Sequence, residues 1–455
     1  MLETPNRFRH SPSLLSFHMS FHRFVPLVLF VLTLVCGLEQ ANGFQAWTSF
    51  QNGGLVSAEP VMPTSWSPSE GLKWKVDLVG YGQSTPVVFD NQIYVTSISG
   101  PEKEQVHVQA FATDSGKEVW QYEANNSTPE KNNSYVSRAA PSPVCDAEGV
   151  ICFFEGGNLV ALTHEGTVRW EMDLTKTQGD VKARHGIAAS LEHNKDHVFV
   201  WVERETDPYV LALKKADGKV VWRSAGLGTT SWSSPRLIDV GESQHLVLSG
   251  SGKIAGLDPE TGKRLWDFTE IGGNTTPTPV QVGNGRFLIG ASAGRGEAAD
   301  GKTAKSNGVV QIESKGDDYE VSWLWTAKRA TSSFGSPMFH DNRAYFVNRQ
   351  GVVFCLDTET GEEVYAQRVP SGSVWATPLA LHGNVYLFGK GGVTTIIESA
   401  DELEEIATND LWEATSQRAG AMGGPVLYAA TPLADSLVLR RGDTLYCVGK
   451  AAESK

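Results

Sequence analysis

Asp180 and Asn274 are hard oxygen donors of the kind that hold calcium, but they fall in separate connecting stretches and make a weak metal site between them. His193 and His197 have the spacing of a helical ligand pair. They belong to the polar run Glu192-His193-Asn194-Lys195-Asp196-His197, with no helical pattern to bring them to one face. His107, His164, His185, His245, His340 and His382 stand mostly in turns, and no Cys-x-x-Cys offers a thiolate metal site. Gly156-Gly157 and Gly391-Gly392 lie between strand-like runs rather than ahead of a phosphate-binding helix. These patterns assign no catalytic residue, no cofactor and no metal. What does recur is an aromatic or cationic residue shortly before a strand start: Tyr81, Arg138, Arg184, His185, Trp232, Phe334, Trp375 and Arg418. Aromatics with arginines anchor protein and peptide partners, and equally they pack the tops of the elements that carry them.

Those elements follow from a repeat. Leu257-Asp258-Pro259-Glu260-Thr261-Gly262-Lys263-Arg264-Leu265-Trp266 reads as strand, tight turn and strand, and variants of it end on Trp120, Trp222 and Tyr365. The turn needs an aspartate that bonds its own backbone and a glycine that accepts positive φ. A unit this short cannot bury its apolar face alone, so the copies must stack. Its terminal aromatics are Trp74, Trp120, Trp170, Trp222, Trp266, Trp325, Tyr365 and Trp412, at steps of 46, 50, 52, 44, 59, 40 and 47 residues. Such steps are the length of a four-stranded propeller blade. A small residue followed by proline comes 12 or 13 residues after six of them, as at Ser234-Pro235 and Thr377-Pro378. Proline suits a first strand residue, where its missing N–H breaks no ladder bond. With the strands labelled A to D from that proline, each aromatic ends strand D and is expected to pack between blades, its N–H seeking a carbonyl.

Counting gives an all-β, eight-bladed propeller, with seven blades as the alternative. The last unit, from Pro425, runs out after Thr444-Leu445-Tyr446-Cys447-Val448 without a strand D, whereas Leu72-Lys73-Trp74-Lys75-Val76 is a strand D with nothing before it. The amino-terminal strand is therefore predicted to complete the last blade and close the ring. D-to-A and B-to-C connections then emerge on one face, around the mouth of the axial channel. The long ones (99–106, 125–134, 175–185, 203–209 and 291–307) decorate that face, together with the eight residues named above.

Arg23, the apolar run from Phe24 to Leu38 and the small residues Ala41-Asn42-Gly43 read as a secretory signal over residues 1–43, with Met19 the more natural start. Cys36 lacks the small preceding residue of a lipidated cysteine, so no anchor is expected there. Residues 44–70 form a leader and 71–450 the propeller. Beyond residue 43, 36 basic residues face 50 acidic ones, a net charge of −14 that argues against nucleic acid as partner. No later stretch is apolar enough to span a bilayer. Cys145 and Cys152 flank a hairpin and could pair in an oxidising compartment, or could stay buried thiols with Cys355 and Cys447, as four scattered cysteines in so long a chain favour.

The Asp-x-x-Thr-Gly-Lys-x-x-Trp motif resembles the docking motif of the pyrroloquinoline-quinone-type propeller repeat, over about residues 71 to 449. Trp47-Thr48-Ser49-Phe50-Gln51-Asn52-Gly53-Gly54 is similar to the opening of secreted bacterial members. That superfamily includes quinone-dependent alcohol dehydrogenases and the outer-membrane assembly factor B. The dehydrogenases carry adjacent cysteines over the cofactor and a carboxylate-amide set for calcium, and this chain has no Cys-Cys. Lacking these parts, the chain is expected to be a non-catalytic scaffold, exported by its signal segment and monomeric, and the resemblance implies a protein or peptide partner in the cell envelope. The alternatives are a quinone-dependent dehydrogenase and, given the exposed tryptophans, a carbohydrate-binding module.

Overall fold

Eight antiparallel sheets follow one another along the chain, the first of five strands and the others of four, and the eighth draws its strands from both ends. A computed structural model describes residues 46–54, 62–132, 136–292, 301–413 and 425–449, all within the compact unit Gly43–Lys455. Blade four shows the pattern: A is Arg236–Val240, B Ser243–Gly250, C Lys253–Leu257 and D Arg264–Phe268. Strands B and C are buried on both faces, as in Leu246, Val247, Leu248, Ile254 and Ala255, because each blade is covered by its two neighbours. In blade eight Leu72–Asp77 pairs with Thr444–Gly449, so the amino-terminal strand closes the ring, and the count is eight.

Each C–D ladder skips one residue beside the docking position: Val119, Val221 and Ile406 are such bulged residues, 50%, 40% and 42% exposed. The extra residue twists strand D, and the aromatic is carried onto the next blade. Trp222 gives its indole N–H to the Pro259 carbonyl at 3.0 Å, and its ring lies where a Cβ on Gly262 (φ +71°) would come within 2.6 Å. The turn glycine is required twice, by its backbone angle and by the ring above it. Trp74, Trp120, Trp170 and Trp325 reach the carbonyls of Thr113, His164, Lys215 and Thr358 in the same way.

Three of the eight aromatics depart from this. Trp266 bonds His245 Nδ1 in its own blade, because the hairpin of blade five (Gly308–Lys315, Asp318–Thr326) runs past the docking level and brings Tyr319 onto His245 instead. Tyr365 pairs with Cys355 at the docking position, and no acceptor in the next blade is seen for its hydroxyl among the described residues. Trp412 does not hold the docking position at all. Ala407 stands there, opposite Ile396, while Trp412 lies beyond the end of strand D (Glu405–Asp410) against Gly392 and Tyr446. The reason is the seam: blade eight has no continuous C–D turn on which a tryptophan could stack. The leader fills this place with buried Trp66, whose backbone N–H goes to Asn409 Oδ1, and with a turn from Ser67 to Gly71.

Candidate functional site

In blades one to six the axis of the ring is built by the residue two places before strand A, which a proline follows in every one of them but the third, where Leu191 follows Ser190. The backbone N–H of Thr85 goes to Ser142 Oγ, that of Ser142 to Ser190 Oγ, that of Ser190 to Ser234 Oγ, that of Ser234 to Thr278 Oγ1, and that of Thr278 to Ser336 Oγ, all at 2.8–3.0 Å. Each hydroxyl thus satisfies a buried amide of the preceding blade. This explains why serine or threonine recurs where any small residue would fit sterically.

The leader enters this ring. Ala46–Trp47 pairs with Val88 and Phe89 as a fifth, innermost strand of blade one, and Thr48 O accepts the amide of Cys145 in blade two. Buried Arg236 of blade four donates through Nη2 to Phe50 O and Gln51 Oε1, both at 3.1 Å, and through Nη1 to Glu192 at 3.2 Å. Gln51 Nε2 reaches Thr377 Oγ1 of blade seven at 2.6 Å. One nonapeptide is therefore fastened to four blades. Burial pushes the Glu192 carboxyl up and the Arg236 guanidinium down, with the opposite charge partly offsetting each.

Above this plug lies a cavity of ≈ 270 Å³, lined by Trp47, Phe50 and Gln51, by the hydroxyl ring, and by Trp232, Phe334, Trp375 and Tyr428. Phe334 and Trp375 meet edge to face at 5.0 Å, Trp375 and Tyr428 at 6.1 Å, and Tyr428 and Tyr81 at 6.0 Å with their hydroxyls 2.9 Å apart. Arg138 lies over the Tyr81 ring at 3.8 Å. Burial, with the neighbouring Tyr428, raises the Tyr81 hydroxyl well above the ordinary tyrosine range, so it stays a neutral hydrogen-bonding group. Five of the eight residues singled out from the sequence therefore belong to one mouth: Tyr81, Arg138, Trp232, Phe334 and Trp375. His185 joins them beside Trp232 at 5.8 Å, and Arg184 next to it is exposed. Arg418 lies outside the described residues.

Sequence reasoning missed Tyr428, Arg349 and Lys390. Arg349 and Lys390 stand at the same offset in the B–C turns of blades six and seven, two residues past Val347 and Phe388, which was a usable signal. Asn274 is wholly buried and spends its amide on Gly252 N–H, Ser249 Oγ and Lys253 O; Asp180 caps Lys182 N–H. Cys145, Cys152, Cys355 and Cys447 are buried free thiols, so the first two do not pair.

The fold and its mouth define an eight-bladed propeller with a plugged axis and an aromatic rim. Residues 64–190, 180–315 and 306–451 match the family described as outer membrane protein assembly factor BamB, and the chain belongs to that family. BamB of Shewanella oneidensis is 19% identical over 310 residues, covering 67% of this chain and 68% of that one. The crystal structure of BamB from Moraxella catarrhalis superposes with a TM-score of 0.56 at 14% identity, over 83% of this chain and 99% of that chain. Quinohemoprotein alcohol dehydrogenase from Comamonas testosteroni gives 0.57 at 14% identity, over 91% and 82%. At such identities the superpositions speak for the fold alone. In this chain the leader fills the axis, and Asn274, one of the two oxygen donors considered from the sequence for calcium, is committed to backbone and hydroxyl partners.

Proposed function

We propose that this protein is an exported, non-catalytic scaffold that binds a protein partner of the cell envelope at the channel mouth. The observation that carries the reading is the arc of Phe334, Trp375, Tyr428 and Tyr81 around a cavity whose floor the chain itself has closed. Large rigid aromatics left half open to solvent provide contact area at little entropic cost. A closed floor suits surface recognition better than a chamber for a diffusing substrate. Membership of the assembly-factor family supports an envelope location, as does the apolar segment before residue 43, and no helix among the described residues is long and apolar enough to cross a membrane.

The test is a photo-crosslinking amino acid at Phe334, compared with one at Val221 on the outer edge of blade three, in cells that make the protein. Adducts to an envelope protein from position 334 and not from 221 are expected. No adduct from 334, or dye-reducing activity on adding quinone and calcium to the purified chain, would overturn the reading.

A further inference from the structure

The acidic side chains buried among the described residues are Glu155 and Glu192, and both serve the axis. Glu192 pairs with Arg236, which holds the leader, and Glu155 takes the amide of Ala139, beside Arg138, at 3.1 Å. Glu203 repeats the device for the connection from blade three to blade four. It is half-buried just past strand B of blade three, His197–Val202. Its Oε2 accepts Trp201 Nε1 at 2.7 Å and the Leu227 amide at 3.0 Å, and its Oε1 accepts the amides of Gly228 at 2.6 Å and Thr229 at 3.0 Å. Three successive amides turned on one anion form a nest, and Gly228 supplies the left-handed residue it needs, with φ +71°. Beyond the nest the loop runs straight to the mouth. Thr229 Oγ1 donates to Ser251 O, Ser231 Oγ to Ser249 O and the Trp232 amide to Thr275 O, at 2.7–3.0 Å. The Trp232 ring lines the cavity, 5.8 Å from that of His185. Taking a carboxylate out of water is costly, and blade three itself does not call for one. A carbonyl would serve the Trp201 N–H, as Pro259 serves Trp222. Gathering three loop amides takes an anion.

We infer that Glu203 is a positioning residue of the mouth. Its carboxylate sets residues 227–229 and so fixes where Trp232 stands when a partner arrives. This rests on the scaffold reading above and assigns the group that holds one side of that site.

Amide hydrogen exchange on the full chain and the cross-linking assay at Phe334 test this together. In Glu203→Ala the amides of Gly228 and Thr229 should exchange at least about tenfold faster, while that of Ser190, bonded within the hydroxyl ring, keeps its rate. Formate at about 100 mM, a free carboxylate small enough for the emptied nest, should restore their protection, and chloride at the same concentration should not. Adducts from position 334 should fall about tenfold in Glu203→Ala. They should keep their yield in Trp222→Phe, which loses a bond between blades away from the mouth. Glu203→Gln keeps the volume and one acceptor oxygen, so it carries the test if the alanine variant fails to fold. Its quickening should be smaller, and formate should not reverse it, because the nest stays filled. Unchanged protection at Gly228 and Thr229, restoration by chloride, or an equal loss of adducts in Trp222→Phe would overturn the inference. Undiminished adducts in Glu203→Ala would also overturn it and leave the scaffold reading standing; absence of adducts from the unaltered chain would remove both.

Discussion

Arg236 should hold the leader in the channel, and the amide of Cys145 reports on it. That amide faces the axis and bonds Thr48 O at 2.9 Å, so it exchanges with solvent when residues 46–54 lift away. Arg236→Met removes the donors to Phe50 O and Gln51 Oε1; Glu192→Leu is made with it so that no buried carboxylate is stranded. Two charge-assisted bonds of about 1.5–3 kcal/mol each, discounted for water entering the opened channel, give a loss of about 2–4 kcal/mol. At about 1.4 kcal/mol per factor of ten, hydrogen exchange at Cys145 should quicken by about 30- to 1000-fold. The Ser190 amide, bonded to Ser234 Oγ within the hydroxyl ring, serves as the internal control and should change little. Unaltered protection at Cys145 would refute the anchoring role. Equal loss at Ser190 would show instead that the pair supports the whole ring.

Trp222→Ala should cost about 3–5 kcal/mol in denaturant unfolding, since it empties a buried inter-blade contact, and Trp222→Phe, which loses the bond to Pro259, about 1 kcal/mol. Trp412→Ala, outside the docking position, should cost less than half as much as Trp222→Ala; equal losses would contradict the assignment by register. Ser234→Ala leaves the buried Ser190 N–H without its acceptor and should cost about 1–3 kcal/mol, with Ser234→Thr close to neutral in a thermal melt. Burial holds the carboxyls of Glu155, Glu192 and Glu203 above the ordinary glutamate value of 4.5, so the folded chain keeps protons that the unfolded chain has released. Their contribution is full below that value and is lost as pH rises through the raised ones. Glu203→Gln should flatten this fall in melts taken between about pH 4 and pH 7, and an unchanged slope would count against it.

Blade number, strand order and the closing strand were legible because each is written in a repeated pattern: Asp258-to-Trp266 spacing for the C–D hairpin, Ser234-Pro235 for the start of strand A, and an orphan strand D around Trp74. Spacing misled at Trp412, where the step of 47 residues fits but one position in the ladder decides the matter, and Ala407 occupies it. The mouth was partly legible, since the stretch before strand A must pass the axis and Trp232, Phe334 and Trp375 lie on it. Arg349 and Lys390 were legible only as a shared offset in two B–C turns, since their place over Phe334 and Trp375 depends on the aromatic of the adjoining turn, and Tyr428, inside strand A of blade eight, had no such marker. Arg236–Phe50 and Gln51–Thr377 are 186 and 326 residues apart. Pairings of that separation leave no local pattern in either partner.

That separation also bears on the recognition proposed for the mouth. Residues 46–54 touch blades one, two, four and seven, and residues 72–77 complete blade eight, so the plug finds its partners only when nearly the whole ring stands. Contacts this distant in sequence carry the loop-closure cost of the entire chain, and they are gained together rather than one at a time. Once seated, the leader covers the inner edge of blade one, the kind of edge that would otherwise pair with an extended segment. The other strands A turn inward on a space already occupied. A partner that adds a strand inside the channel would first have to displace the leader from Arg236 and Thr377, whereas one that reads side chains at the rim meets Phe334, Trp375 and Lys390 already in place. Preorganisation of that kind favours the second route.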